Sequence, residues 1–143
     1  MLRLILLVMT LAAIGCSRQA AVEVAAPAYG TDKCATCQAV IATPRHAAQI
    51  VRADGTVISF DTPACLFRAL RAESAAPRAI RFHGAGEEWI ASGDAWFAAL
   101  PTGPAHGGGW TAFPSFAAAQ DAVAQAGSGE ILAFDQARER LGQ

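Results

Sequence analysis

The sequence predicts an α+β fold of two similar ββαβ lobes, carried behind a signal peptide and a flexible tether. Three observations predict it. Asp54-Gly55 separates two β-favouring runs, residues 47–52 and 57–60, which is a hairpin signal. Phe60-Asp61-Thr62-Pro63 opens a helix, and Phe113-Pro114-Ser115 opens another at the same point of a second unit. Each helix is followed by a short strand-like run, residues 78–83 and 130–134. At 143 residues the chain can bury a hydrophobic core but cannot hold a large multidomain enzyme.

The N-terminus reads as an export signal. Arg3 precedes an apolar run from Leu4 to Ile14, too short to span a bilayer, and Gly15-Cys16 follows. Leu11-Ala12-Ala13-Ile14-Gly15-Cys16 resembles a lipobox, with Ala13 where leucine is usual, so residues 1–15 are expected to be a lipoprotein-type signal peptide and Cys16 the acylated residue. An ordinary cleaved signal peptide is the other reading. Acylation would hold the chain at the periplasmic side of a bacterial membrane, and Ser17 favours the outer membrane where the host has one. Residues 16–31 lack a sustained period and are expected to be a lipid-anchored tether, leaving residues 32–143 as the domain, with lobes at about 32–88 and 89–143.

Within the first lobe, Asp61 or Thr62 can cap the helix, and Pro63 sits where the first turn has no amide partner to lose. Leu66, Phe67, Ala69 and Leu70 give that helix an apolar side, and Ala75-Ala76-Pro77 stops it. Ile80 and Phe82 alternate with Arg81 and His83, as in a half-buried strand. In the second lobe, residues 95–100 are rich in alanine and compatible with a strand or a short helix; the repeat favours the strand. A Gly/Pro loop leads to Trp110-Thr111-Ala112-Phe113, a helix ends at Ala126 before Gly127 and Gly129, and Asp135 to Leu141 form a terminal helix.

Chemistry concentrates in Cys34-Ala35-Thr36-Cys37, whose two thiols can close a disulfide or grip one metal ion. With Cys16 acylated, three thiols remain, an odd number for an oxidising compartment. Cys65 falls in the first turn of the first helix, where free amides and the helix dipole favour a thiolate; a small buried apolar residue is the alternative. His106 lies among three glycines that let the loop fold tightly and carry the imidazole to the other lobe. His106-Gly107-Gly108-Gly109 also matches an oxyanion-hole motif of esterases, but no Gly-x-Ser-x-Gly occurs. His46 is a weaker candidate for closing a site, and His83 is expected at the surface. Trp89, Trp96 and Trp110 are expected in the core or between the lobes. Charge is balanced, 11 Lys and Arg against 12 Asp and Glu, with no basic run, which excludes a nucleic-acid footprint.

Asp32-x-Cys34-x-x-Cys37, Phe60-Asp61-x-x-x-Cys65, Trp89-Ile90 leading to Ala95-Trp96, Gly109-x-x-Ala112-Phe113, Ala122 and Gly127-x-Gly129-x-Ile131 occur in an order that resembles the NosL family of lipoprotein copper chaperones. The resemblance spans residues 32 to 134 and implies a twofold ββαβ fold and maturation of a copper-accepting client such as nitrous oxide reductase. Where that family places Gly-Met after the second cysteine this chain has Gln38-Ala39, and where it places a loop methionine this chain has His106. Leu66 replaces another frequent methionine, and the only methionines are Met1 and Met9. Thiolates and imidazole remain, so Cys34, Cys37, Cys65 and His106 are the expected metal ligands, for Cu(I) with zinc not excluded. A thiol-disulfide oxidoreductase, with Cys34 attacking and Cys37 resolving, and a structural lipoprotein domain are the alternatives.

Overall fold

The computed structural model describes residues 24–86 and 88–143. The expected signal peptide, the acylation site Cys16 and the tether ahead of Val24 lie outside the described residues. Among the described residues no helix is long and apolar enough to cross a membrane.

The chain forms an α+β fold of two antiparallel sheets and three helices. Its first lobe comprises β1 (Ala48–Val51), β2 (Val57–Phe60), α1 (Pro63–Leu70) and β3 (Ala79–His83). A short strand, β4 (Trp89–Ala91), then adds to the same sheet, giving the order β2-β1-β3-β4. The second lobe comprises β5 (Trp96–Ala99), β6 (Trp110–Phe113), α2 (Phe116–Ala126) and β7 (Ile131–Ala133), in the order β6-β5-β7, and α3 (Phe134–Leu141) closes the chain. In both lobes the first strand is central and the helix crosses over it to connect two strands that run parallel on its flanks, a split β-α-β arrangement. Two similar ββαβ lobes therefore stand as the sequence predicts. β4 was not anticipated: Trp89-Ile90-Ala91 pairs with β3, so the sheet of the first lobe extends past residue 88.

The helix starts follow from their caps. Thr62 Oγ1 accepts from Cys65 N–H at 3.2 Å, and Ser115 Oγ accepts from Ala118 N–H at 3.1 Å, so each helix has an orphan donor satisfied at the same offset. Gly127 ends α2 with φ of 80°, a left-handed cap that glycine takes without a Cβ penalty.

Phe67 on α1 joins the two lobes. Its ring lies 5.6 Å from Phe82 of the first sheet, 5.2 Å from Phe97 of the second and 5.5 Å from Phe134 at the start of α3, and Phe82 meets Phe97 edge-on at 4.8 Å. On β5, Phe97 points into this shared core while Trp96 and Ala98 face the satellite core under α2, with Phe113, Ala119 and Ile131. Under α2 the buried position of this strand is the small Ala98, while Trp96 at the strand's start packs on Phe116, the first residue of α2. Tertiary packing thus overrides the helix preference of its alanines. A parallel bridge between Gly84 and Ala112 stitches the sheets together.

Two expectations are corrected here. His83 is buried rather than superficial: it lies on the same face of the first sheet as Gln49 and Arg81, with its ring 5.2 Å from the Trp89 ring. Over Gln49 and Arg81 that face is covered by the segment expected to be tether. Arg81 Nη2 donates to the Val24 carbonyl at 2.7 Å, and Gln49 Nε2 donates to the Ala25 carbonyl at 3.1 Å. Arg81 also bonds Gln49 Oε1 and lies 4.1 Å above the Trp89 ring, so the cation over an indole is one of the chain's own. Residues 24–31 belong with the domain, and Pro27 is buried.

Truncating the ring shared by the two lobes should cost about 3–5 kcal/mol, the range for buried aromatic to alanine changes. Denaturant unfolding of Phe67→Ala followed by tryptophan fluorescence checks this. A single cooperative transition, shifted to lower denaturant, is the expected result.

Candidate metal centre

The site is assembled on the N-terminus of α1. Cys65 occupies the first turn behind the Thr62 cap, and Asp61 immediately precedes that cap. A small hairpin brings the cysteine pair to this end of the helix. Ile41 N–H bonds the Asp32 carbonyl, Lys33 bridges Val40, and the buried Ile41 fixes the base in the core. At the tip, Cys34 N–H bonds Ala39 O at 2.8 Å and Gln38 N–H bonds Cys34 O at 3.0 Å. Gln38 holds φ of 64° to close this turn. Two contacts then dock the tip: Ala35 N–H on the Ser59 carbonyl at the β2 edge, 3.1 Å, and Thr36 Oγ1–H on the Cys65 carbonyl, 2.8 Å.

Cys34, Cys37, Cys65 and Asp61 thereby form one cluster, with their sulfur and carboxylate oxygen atoms all within 4.8 Å of one another. Such a cluster can hold a metal ion. Its members differ in access: Cys34 and Cys65 are buried, and Cys37 is exposed. Asp61 is the member that sequence reasoning did not count as a ligand, although it had singled out the residue as a helix cap and as part of a motif. The available signal was position, since a carboxylate four residues before a cysteine at a helix start faces the same way as that cysteine.

Beside the Asp61 carboxylate, the three thiols share one negative charge. Cys34 is lowered to about 6, chiefly by the hydrogen bond from the Cys65 thiol, against desolvation; the amides of Cys37, Asp61 and Thr36 add to the effect. Cys65 moves upward for the complementary reason, since ionising it would remove the hydrogen bond to Cys34 and leave a second charge in a buried place. Cys37 is also raised, first by desolvation, with Cys34 adding to it. At Asp61 burial opposes the charge, but hydrogen bonds from Cys34, His106 and Cys37 outweigh it and hold the carboxyl below its ordinary range.

His106 comes across from the second lobe, as the glycine-rich loop suggested. The loop makes a three-residue 3₁₀ turn, Ala105–Gly107, against the start of α1. Gly107 eases the approach, because a Cβ there would stand 3.0 Å from the Thr62 side chain, which would have to give way. Gly109 is required by φ of 76° and by the Leu100 carbonyl, 2.4 Å from where its Cβ would be. His106 Nε2–H donates to Asp61 Oδ2 at 2.5 Å. The structure therefore brings the three thiols together and sets His106 behind the carboxylate instead of among the clustered donors. His83 is remote in role, packed on Trp89. His46, with φ of 74°, points its Nδ1 to Thr111 Oγ1 at 3.4 Å and lines a groove of about 660 Å³ between Arg45 and α2.

Comparison with known protein families, with curated proteins and with solved structures finds no match to the chain.

His46 supplies a pH dependence. Its imidazole is pushed down to about 4, first by burial and then by the charges of Arg45 and His106. An unfolded chain takes up this proton near pH 6.5, and the folded chain refuses it until near pH 4. Stability from this residue is therefore complete above the window and lost as pH falls through it, by on the order of 1–2 kcal/mol once partial exposure is allowed for. Thermal unfolding at about pH 7 and about pH 4.5 should show a smaller acid loss in His46→Asn, which tolerates the positive φ.

The loop geometry sets a second expectation. Gly107→Ala pushes a methyl into Thr62 and should displace His106 from Asp61 at a cost of about 1–3 kcal/mol. The measurement is the side-chain ¹⁵N NMR spectrum of His106, in which the hydrogen-bonded Nε2 signature should be lost.

Proposed function

We propose that the chain is an extracytoplasmic, membrane-tethered carrier of Cu(I), which it binds through the thiols of Cys34, Cys37 and Cys65 and passes to a copper-accepting client. The observation that carries this reading is the cluster of three unpaired sulfurs with graded access. Cu(I) accepts two or three soft donors, so the buried Cys34 and Cys65 retain the ion while the exposed Cys37 takes it up and releases it by ligand exchange. Lipid on Cys16 would keep this domain at the periplasmic face of a membrane, and nitrous oxide reductase is the client that the NosL resemblance suggests. Gln38 fits that resemblance, since it holds a left-handed φ of 64° where the family has glycine.

The same gradient argues against the thiol oxidoreductase. An attacking thiol must be both ionised and reachable by an external disulfide. Here the thiol with the lowered pKa, Cys34, is buried, whereas the exposed Cys37 is shifted upward. Ionisation and access fall on different residues.

Anaerobic Cu(I) titration of the reduced full chain against a competing chelator tests the carrier, in a Cys16→Ser background so that only the three clustered thiols can contribute. One ion per chain is expected. Cys34→Ser or Cys65→Ser should weaken binding at least about 100-fold, and Cys37→Ser should mainly slow transfer to a second chelator. Weak binding that is indifferent to all three changes would sink the proposal.

A further inference from the structure

The carboxylate of Asp61 has a use that Cu(I) does not require. Its two oxygens are assigned to different neighbours: Oδ1 accepts from the Cys37 thiol at 3.5 Å, and Oδ2 is held by His106 Nε2 at 2.5 Å. The side chain is only 8% exposed, so the oxygen turned away from His106 faces the sulfurs rather than water. A carboxylate within the sulfur cluster, with one oxygen fixed by an imidazole and the other on the Cys37 thiol, is oriented as a fourth donor.

We infer that the cluster has a second loading mode, in which Asp61 joins Cys34, Cys37 and Cys65 to bind a divalent thiophilic cation of the zinc type in a four-coordinate S₃O shell. This rests on the metal-carrier reading and adds to it a residue that selects between ions. Tetrahedral donors around such a cation, with metal–sulfur and metal–oxygen bonds of about 2.3 and 2.0 Å, stand about 3.5–3.8 Å apart. The four donors here lie within 4.8 Å of one another, and Cys37 Sγ is already 3.5 Å from Oδ1. Closure by about 1 Å completes the shell, and the exposed Cys37 is the donor free to make that move. A hard carboxylate oxygen contributes little to Cu(I), which prefers low coordination by sulfur, but it completes the shell of Zn(II) or Co(II). His106 is then a positioning residue, keeping Oδ1 aimed at the ion by holding Oδ2.

The second lobe gives an internal contrast. At the positions equivalent to Asp61 and Cys65, counted from the capping Thr62 and Ser115, it carries Pro114 and Ala118. The bare ββαβ lobe needs neither residue to start its helix. Carboxylate and thiol are present only where the cysteine hairpin docks.

The test uses the full reduced chain in the Cys16→Ser background, with Co(II), Zn(II) and Cu(I) as probes. Co(II) should give a charge-transfer band for three thiolates together with ligand-field bands of tetrahedral intensity. Asp61→Ala should abolish the tetrahedral bands and weaken Zn(II) by more than about 100-fold, while Cu(I) affinity changes by less than about threefold. Asp61→Asn, which keeps the shape and a carbonyl for His106, should show the same split between the ions and guards against a folding defect in the alanine variant. Zn(II) and Cu(I) affinities that fall together, or a Co(II) spectrum indifferent to Asp61, would overturn the inference. Cu(I) binding by the parent chain without Zn(II) or Co(II) binding would overturn it and leave the carrier standing; no Cu(I) binding would remove the carrier itself.

Discussion

The capped start of α1 is the point on which the molecule depends. One turn of helix satisfies an orphan amide with Thr62, places Cys65 against the cysteine hairpin and offers its Cys65 carbonyl to Thr36. The second lobe arrives at the same turn, with Gly107 packed on Thr62 and His106 bonded to Asp61. One helical turn further on, Phe67 enters the aromatic cluster that the two sheets share. Core and site are therefore not independent. A disturbance that rotates α1 moves the thiols, the carboxylate and the lobe contact together.

Much of the architecture was legible because both lobes announce their helices in the same way. A phenylalanine ending a strand, one residue, then a hydroxyl cap is a local signal, and the caps at Thr62 and Ser115 read it out directly. The Asp54-Gly55 turn and the glycine stop at Gly127 are equally local. What could not be read depended on partners remote in sequence. β4 has three residues and exists because β3 offers it an edge. His83 and Arg81 alternate as an exposed face should, but Arg81 is bonded to the Val24 carbonyl and His83 packs on Trp89. The strand at residues 96–99 was reached from the repeat rather than from its own composition, since its alanines answer to packing on two faces.

The site was legible in its sulfurs and not in its oxygen. Cysteines have few roles, so Cys34, Cys37 and Cys65 ask to be placed together. Aspartate before a helix cap has an ordinary explanation, and its position four residues before Cys65 shows only which way it faces, not whether it is a ligand. Only the arrival of His106 on one oxygen and Cys37 on the other distinguishes Asp61 from the many carboxylates that begin helices. The same holds for Thr36. Its identity between the cysteines looks arbitrary until its hydroxyl is seen on the Cys65 carbonyl, where it ties two thiols 31 residues apart to one scaffold.

The clamp at Arg81 has a mechanical consequence. The chain reaches Cys34 only after passing Val24 and Ala25, whose carbonyls are gripped by a guanidinium that is itself braced by Gln49 and the Trp89 ring. Any tension applied ahead of residue 24 is delivered to the outer face of the first sheet, into strands that share load through their ladders. The hairpin that carries Cys34 and Cys37 lies beyond this anchorage and is strain-relieved by it, as a cable is by the clamp ahead of its connector. The geometry of the sulfurs is thereby insulated from whatever pulls on the N-terminus.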